Sequence, residues 1–96
     1  MLIKAGVDIS MLSRNARRGM QICNDYLDPK GEEIIITSTF EGNHSAGSLH
    51  YANDAFNFRL PLVPVDVLMD ELRGLLGVDY YVVSELDDIH VGYCPL

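Results

Sequence analysis

The sequence has few cationic residues, and this scarcity excludes one large class of function. Seven of its 96 residues are Lys or Arg, against 14 Asp or Glu, which gives a formal net charge of −7. A protein that binds nucleic acid neutralises several phosphates with Lys and Arg side chains. Because that charge is missing here, we do not expect a nucleic-acid partner.

Long apolar runs and cysteines are also scarce. No apolar run reaches the ~18 residues that a membrane-spanning helix requires, so we expect no membrane span. The N-terminus lacks the charged segment and long apolar core of a signal peptide, which predicts a cytoplasmic location. The two cysteines, Cys23 and Cys94, are far apart, and two reduced thiols are the default expectation, with a single disulfide as the alternative.

The residues that are present predict an α+β domain spanning residues 1–96. Two stretches with apolar residues at every third or fourth position predict amphipathic helices, one from a cap at Ser10 to about Leu27 and one closed by Gly77. Short β-branched or alternating segments predict four strands, EEIIITST, AFNFRL, DYYVVSE and DIHVGY. The last two are expected to form a hairpin around a tight connection at Leu86–Asp87. We therefore expect a mostly antiparallel sheet with both helices packed on one face.

Alternation along the strands predicts which side chains share the polar face of this sheet. If the aromatic residues of AFNFRL face the helices, Asn57 and Arg59 point away from them. If the aliphatic residues of DIHVGY face the helices, Asp88 and His90 point away as well. The polar face therefore collects these four side chains, with His50 at its rim, and it is the candidate functional site.

The motifs that carry these residues resemble a known family over almost the whole chain. The segments concerned are GVDIS, IIITS, HSAGSLHY, LGVDYYVV and E-x-x-D-x-H-V. They resemble the M15 metallopeptidases, which include D-alanyl-D-alanine carboxypeptidases and phage endolysins, and in particular small phage-type members. The resemblance implies the fold of the hedgehog and D-alanyl-D-alanine peptidase type, and zinc-dependent cleavage of peptidoglycan stem peptides.

The family pattern is S-x-H-x-x-G-x-A-x-D followed by E-x-x-H-x-H. Carried over by position, the resemblance implies that His50 and His90 are zinc ligands and that Glu85 is the general base acting on the zinc-bound water. It also implies that Ser48 and Arg59 contact the substrate.

The sequence departs from this pattern at the metal site itself. Asn57 stands where the family has its ligand Asp, and Asp88 replaces the first His of the second motif. An amide is neutral and a weak donor, so the loss of a carboxylate beside a dication lowers the affinity for zinc. Asp88 lies two positions from His90 and is the better substitute for the third ligand. Further departures are Asn53 for Gly, Phe40 for an Arg and Gly92 for a Glu.

Two functions of different classes follow from these observations. The first is an M15-like zinc peptidase domain acting on peptidoglycan stem peptides, with a degenerate metal site that binds zinc weakly or not at all. The alternative is a non-catalytic module on the same fold, for example a small acidic phage protein that engages a host protein. A peptidase would also allow a second location, namely release to the cell wall by a separate lysis system.

Overall fold

The computed structural model describes residues 1–39 and 53–95 and confirms the α+β class. Its elements, in chain order, are β1 (Leu2–Ile3), α1 (Arg14–Leu27), β2 (Ile35–Ser38), β3 (Ala55–Arg59), α2 (Val65–Leu76), β4 (Tyr80–Ser84) and β5 (Asp88–Tyr93). A short 3-10 turn, Asp28–Lys30, follows α1. Neither helix in these two ranges is long and apolar enough to cross a bilayer.

The five strands form one mixed sheet in the order β1-β2-β3-β5-β4. The expectation of a mostly antiparallel sheet holds for the pairs β2–β3, β3–β5 and β4–β5. The pair β1–β2 is parallel, because α1 forms the crossover between these two strands. Strand β1 was not predicted, since two exposed residues are too short a segment to show alternation.

Helix α1 begins at Arg14 rather than next to the predicted cap, Ser10. The actual cap is Ser13, whose Oγ accepts a hydrogen bond of 3.1 Å from the backbone N–H of Ala16. The Arg17 guanidinium donates to three carbonyl oxygens of the preceding segment, that of Ser10 among them at 3.0 Å. These bonds hold the segment outside the helix, so the second of the two candidate serines becomes the cap.

Both helices bury their apolar stripes against the same face of the sheet. Each large apolar side chain removed from water in this way contributes roughly 1.5–3 kcal/mol. The buried residues of this core include Ala16, Met20, Cys23 and Leu27 from α1, Leu68 and Leu72 from α2, and Ile36, Phe56, Phe58, Val82, Ile89 and Val91 from the strands. Because side chains alternate along a strand, the intervening residues of β3 and β5 lie on the opposite, outer face.

Tyr80 fixes β4 against helix α1. Its hydroxyl donates to the carbonyl oxygen of Asn15 at 2.7 Å, and its ring makes an edge contact with Tyr93 at 5.3 Å between centroids. The ring lies over Gly19, where an added Cβ would come 2.9 Å from a ring carbon. The absence of a side chain at Gly19 therefore allows this close approach, which positions the β4–β5 hairpin that carries Asp88 and His90 of the candidate site.

Candidate functional site

Residues that the sequence assigned to one site meet on the outer face of the sheet. Asn57 of β3 lies in register with His90 of β5, and Arg59 with Asp88. Glu85 follows β4, and its backbone N–H donates to the Asp88 carbonyl at 2.8 Å, which closes the tight connection predicted at Leu86–Asp87. The short turn and the β3–β5 register together bring these side chains to one place.

The side-chain amide of Asn57 is the centre of the resulting hydrogen-bond network. Its Nδ2 donates to Oε1 of Glu85 at 2.8 Å and lies 3.5 Å from Oδ2 of Asp88. Its Oδ1 lies 2.9 Å from Nδ1 of His90. Carboxylates accept hydrogen bonds and do not donate them. Nδ2 of the Asn57 amide must therefore face Glu85 and Asp88, and Oδ1 must face the His90 ring. Asn57 is 8 % exposed, and this amide therefore joins three chemically active side chains in a nearly buried position.

The two ring nitrogens of His90 have different partners. Because Asn57 presents an oxygen, Nδ1 of His90 is the donor in that contact. In the neutral ring, Nε2 then accepts from the Tyr81 hydroxyl, 3.1 Å away. Burial raises the pKa of Tyr81, as do the nearby Cys94 and Glu85, so this hydroxyl keeps its proton. A metal ion on either nitrogen of His90 would have to displace one of these partners.

Asp88 connects the network to strand β2. Its Oδ2 accepts a hydrogen bond of 3.1 Å from the Thr37 hydroxyl, in addition to facing the Asn57 amide. The register between β2 and β3 shifts between Ile36 and Ser38, so Thr37 is the extra residue of a β-bulge. Bulges of this kind redirect a side chain, and here the redirected hydroxyl stabilises a carboxylate.

Thr37 and Tyr81 were not predicted as site residues, although part of the signal was present. Counted back from a two-residue turn at Leu86–Asp87, the hairpin register places Tyr81 opposite Gly92 and on the same face as His90. Tyr81 could therefore have been found from the turn length. Thr37 could not, because its position depends on the bulge. We call the six residues Thr37, Asn57, Tyr81, Glu85, Asp88 and His90 the Asn57 network.

The remaining predicted site residues lie elsewhere. Arg59 makes no hydrogen bond to the Asn57 network within residues 1–39 and 53–95, and instead lines a depression beside Asp88. Ser48 and His50 fall outside the described residues, as do the family departure at Phe40 and the loop motif HSAGSLHY. The part of the predicted site that the structure describes is thus Asn57, Glu85, Asp88 and His90, with Arg59 next to it.

Only some of the side chains at this site are of the types that commonly bind zinc. Asp88 and His90 are ordinary zinc ligands, whereas the Asn57 amide directs its N–H donors, not its oxygen, at the carboxylates. Among the described residues, no group of three or more His, Cys, Asp or Glu is arranged to hold a metal ion. The predicted zinc site also includes His50, so zinc binding stays a prediction.

Comparison of the chain with protein-family models, with curated proteins and with solved structures found no match. The resemblance to the M15 family therefore depends on the sequence motifs, and the family assignment stays a prediction.

Proposed function

We propose that this chain is an M15-like zinc peptidase domain that acts on peptidoglycan stem peptides and has a degenerate metal site. The observation that supports this most is the meeting of Asn57, Glu85, Asp88 and His90 in one network. The resemblance assigns these residues to a single active site, although Asn57 and His90 are 33 positions apart in the chain.

In this proposal, Glu85 is the general base and zinc is held by His90, His50 and a third ligand from Asn57 or Asp88. Bound zinc supplies a water with a pKa of about 7, which a carboxylate can deprotonate near neutral pH. Asp88 is the stronger candidate for the third ligand, because its carboxylate carries charge and the Asn57 oxygen is already bonded to His90. We expect zinc affinity to be reduced roughly 10–100-fold or more relative to a site with the family's Asp and His, on the scale of changes around metal ligands.

A second candidate function is a non-catalytic protein-binding module on the same domain. It is favoured by the hydrogen bonds of His90, whose two ring nitrogens contact Asn57 and Tyr81. A module of this kind would keep the Asn57 network as a rigid part of its binding surface. The net charge of −7 suits a partner with a basic surface.

Zinc affinity and peptide hydrolysis, measured side by side, distinguish the two candidates. The native chain is compared with the double variant Asn57→Asp, Asp88→His by competition with a chromophoric chelator, and stem-peptide cleavage is followed by mass spectrometry. We expect weak zinc binding with slow cleavage in the native chain, and tighter binding with faster cleavage in the double variant. Asp70→Asn, an exposed charge change on α2, is the control and should match the native chain.

Two outcomes contradict the proposal in different ways. If the double variant gains zinc and activity while the native chain shows neither, the native chain is not a peptidase and the binding module is supported. If the double variant folds but takes up no zinc, the M15-like site itself is wrong.

A further inference from the structure

A depression beside the Asn57 network is lined by side chains of both charges. Its volume is about 570 Å³, and the described residues that line it are Lys4, Thr37, Arg59, Leu60, Leu86, Asp87 and Asp88. Lys4 follows β1, Arg59 ends β3, and the two aspartates belong to the β4–β5 turn and the start of β5. We call this feature the charged depression.

The cations of the charged depression have no partner among the residues that the structure describes. Within residues 1–39 and 53–95, neither Lys4 nor Arg59 forms an ion pair, and neither side chain donates a hydrogen bond in this part of the chain. Arg17 and Arg73, in contrast, use their guanidinium groups to bind backbone carbonyls. In a chain with only seven basic residues, two exposed cations at one depression are available to an anionic ligand.

The anions of the charged depression lie on the hairpin side. A backbone bond of 2.9 Å from the Leu60 N–H to the Asp87 carbonyl holds the turn against the end of β3. Asp87 is exposed, whereas Asp88 is half-buried and shares its Oδ2 with Thr37 and Asn57. Asp88 is therefore common to the charged depression and the network, so a ligand here would lie next to the candidate site.

This arrangement of charges selects among possible ligands. A polyanion such as a phosphate ester would meet two carboxylates within a chain of net charge −7, and it would be repelled. A simple cation would meet Lys4 and Arg59. A group that carries one negative and one positive charge close together would satisfy both sides.

We propose that the charged depression binds a zwitterionic amino-acid group, a carbon atom that bears both a carboxylate and an ammonium. Lys4 and Arg59 receive the carboxylate, while the exposed Asp87 receives the ammonium. The inference deepens the proposed function and relies on it for the peptidic nature of the natural ligand. In a peptide ligand, this group would be the free end of a side chain, as in 2,6-diaminopimelic acid linked through its other end, and it would lie beside Asp88.

The experiment uses three probes with a shared carbon chain and metal-free protein freed of chelator by dialysis. They are 2,6-diaminopimelic acid, pimelic acid without the amines, and 1,5-diaminopentane without the carboxylates. Binding is followed by amide chemical shifts of Thr37, Arg59, Leu86 and Asp87. We expect only 2,6-diaminopimelic acid to saturate. Lys4→Gln, Arg59→Gln and Asp87→Asn should each weaken it roughly threefold to tenfold, as for a partly exposed ion pair.

Lys30→Gln is the matched control, because Lys30 lies over the Tyr26 ring and outside the charged depression. This variant should bind the probe as the native chain does. If pimelic acid or 1,5-diaminopentane bound as tightly as 2,6-diaminopimelic acid, the ligand would not need both charges and the proposal would be wrong. If Arg59→Gln bound 2,6-diaminopimelic acid as tightly as the native chain does, the binding site would not be the charged depression.

The test is independent of zinc and of catalysis. Probe binding without zinc uptake or hydrolysis would support this inference and contradict the peptidase proposal. Zinc uptake and hydrolysis without probe binding would support the peptidase proposal and contradict this inference.

Discussion

Nδ2 of Asn57 donates a hydrogen bond to Oε1 of Glu85 over 2.8 Å, across 28 positions of sequence. An amide thus holds the carboxylate that the resemblance makes a general base. The same amide offers donors to carboxylates and an oxygen to the His90 ring, a combination that an aspartate lacks. The position where the family has a metal ligand is here the centre of a hydrogen-bond network.

The substitution Asn57→Asp should destabilise the metal-free protein. It replaces a donor at a buried position by a carboxylate next to the exposed Glu85 and the half-buried Asp88, and the three like charges repel one another. We expect the free energy of unfolding at pH 7 to fall by about 2–4 kcal/mol. The loss should shrink as pH falls, because protonation removes the charge of the carboxyl introduced at the buried position 57. Urea denaturation at pH 7 and pH 5 measures both effects.

Asn57→Ala is the control for this prediction, because it removes the amide without adding charge. Its difference from the native chain should vary little between the two pH values. Added zinc should restore more stability to Asn57→Asp than to the native chain, since the new carboxylate is a better ligand. Equal stability of Asn57→Asp and the native chain without metal would contradict the central role of the amide.

Tyr81→Phe tests the assignment of the His90 ring. The variant removes the hydroxyl that lies 3.1 Å from Nε2, so the Nε2 signal should shift while Nδ1 stays protonated. Unfolding free energy should fall by about 0.5–1.5 kcal/mol, the net contribution of one hydrogen bond. Long-range ¹H–¹⁵N correlation spectra of the imidazole measure the first effect. Tyr26→Phe should leave these signals unchanged, and an unprotonated Nδ1 in the native chain would refute the assignment.

Two helix glycines should respond oppositely to the same substitution. An alanine Cβ at Gly19 would lie 2.9 Å from the Tyr80 ring, which is held by its bond to Asn15. We expect Gly19→Ala to lower the free energy of unfolding by about 1–3 kcal/mol because the site becomes overpacked, although alanine has the better helix propensity. At Gly74, within α2, an added Cβ meets nothing within 4 Å. Gly74→Ala should raise the free energy of unfolding by about 0.5–1 kcal/mol, measured by thermal or urea denaturation. A gain at both positions would show that the Tyr80 ring is free to move.

The two cysteines should differ in reactivity and in their effect at high pH. Cys23 is buried and Cys94 exposed, and both are free thiols. Burial raises the pKa of Cys23 from 9.0 to about 12. Between these values the unfolded chain has lost this proton and the folded chain has kept it. The stability that Cys23 contributes is therefore complete below pH 9 and falls as pH rises toward 12.

Thiol labelling and urea denaturation measure these two effects. A thiol reagent at pH 8 should modify Cys94 promptly and Cys23 at the rate of unfolding. Stability should fall between pH 8 and pH 10.5, and less steeply in Cys23→Ala. Equal labelling rates of the two thiols would contradict the burial of Cys23.

Several features of the fold were predictable because they depend on neighbours in sequence. The apolar periodicity of α1 and α2 and the two-residue connection at Leu86–Asp87 are local signals, and the structure has all three. Ser10 was the wrong cap because Ser13 offers the same chemistry, and the choice between them depends on the Arg17 side chain. Strand β1 exists only through its pairing with β2, so its own residues gave no signal.

The sequence by itself determined which side chains share the outer face. Successive side chains of a strand point to opposite faces, whichever strands lie beside it. Asn57, Asp88 and His90 were assigned to that face on these grounds alone. Only the tertiary structure decided what they do there. Hydrogen bonds depend on distances of a few tenths of an ångström, and those are set by strand register, by the bulge at Thr37 and by the hairpin turn that carries Glu85.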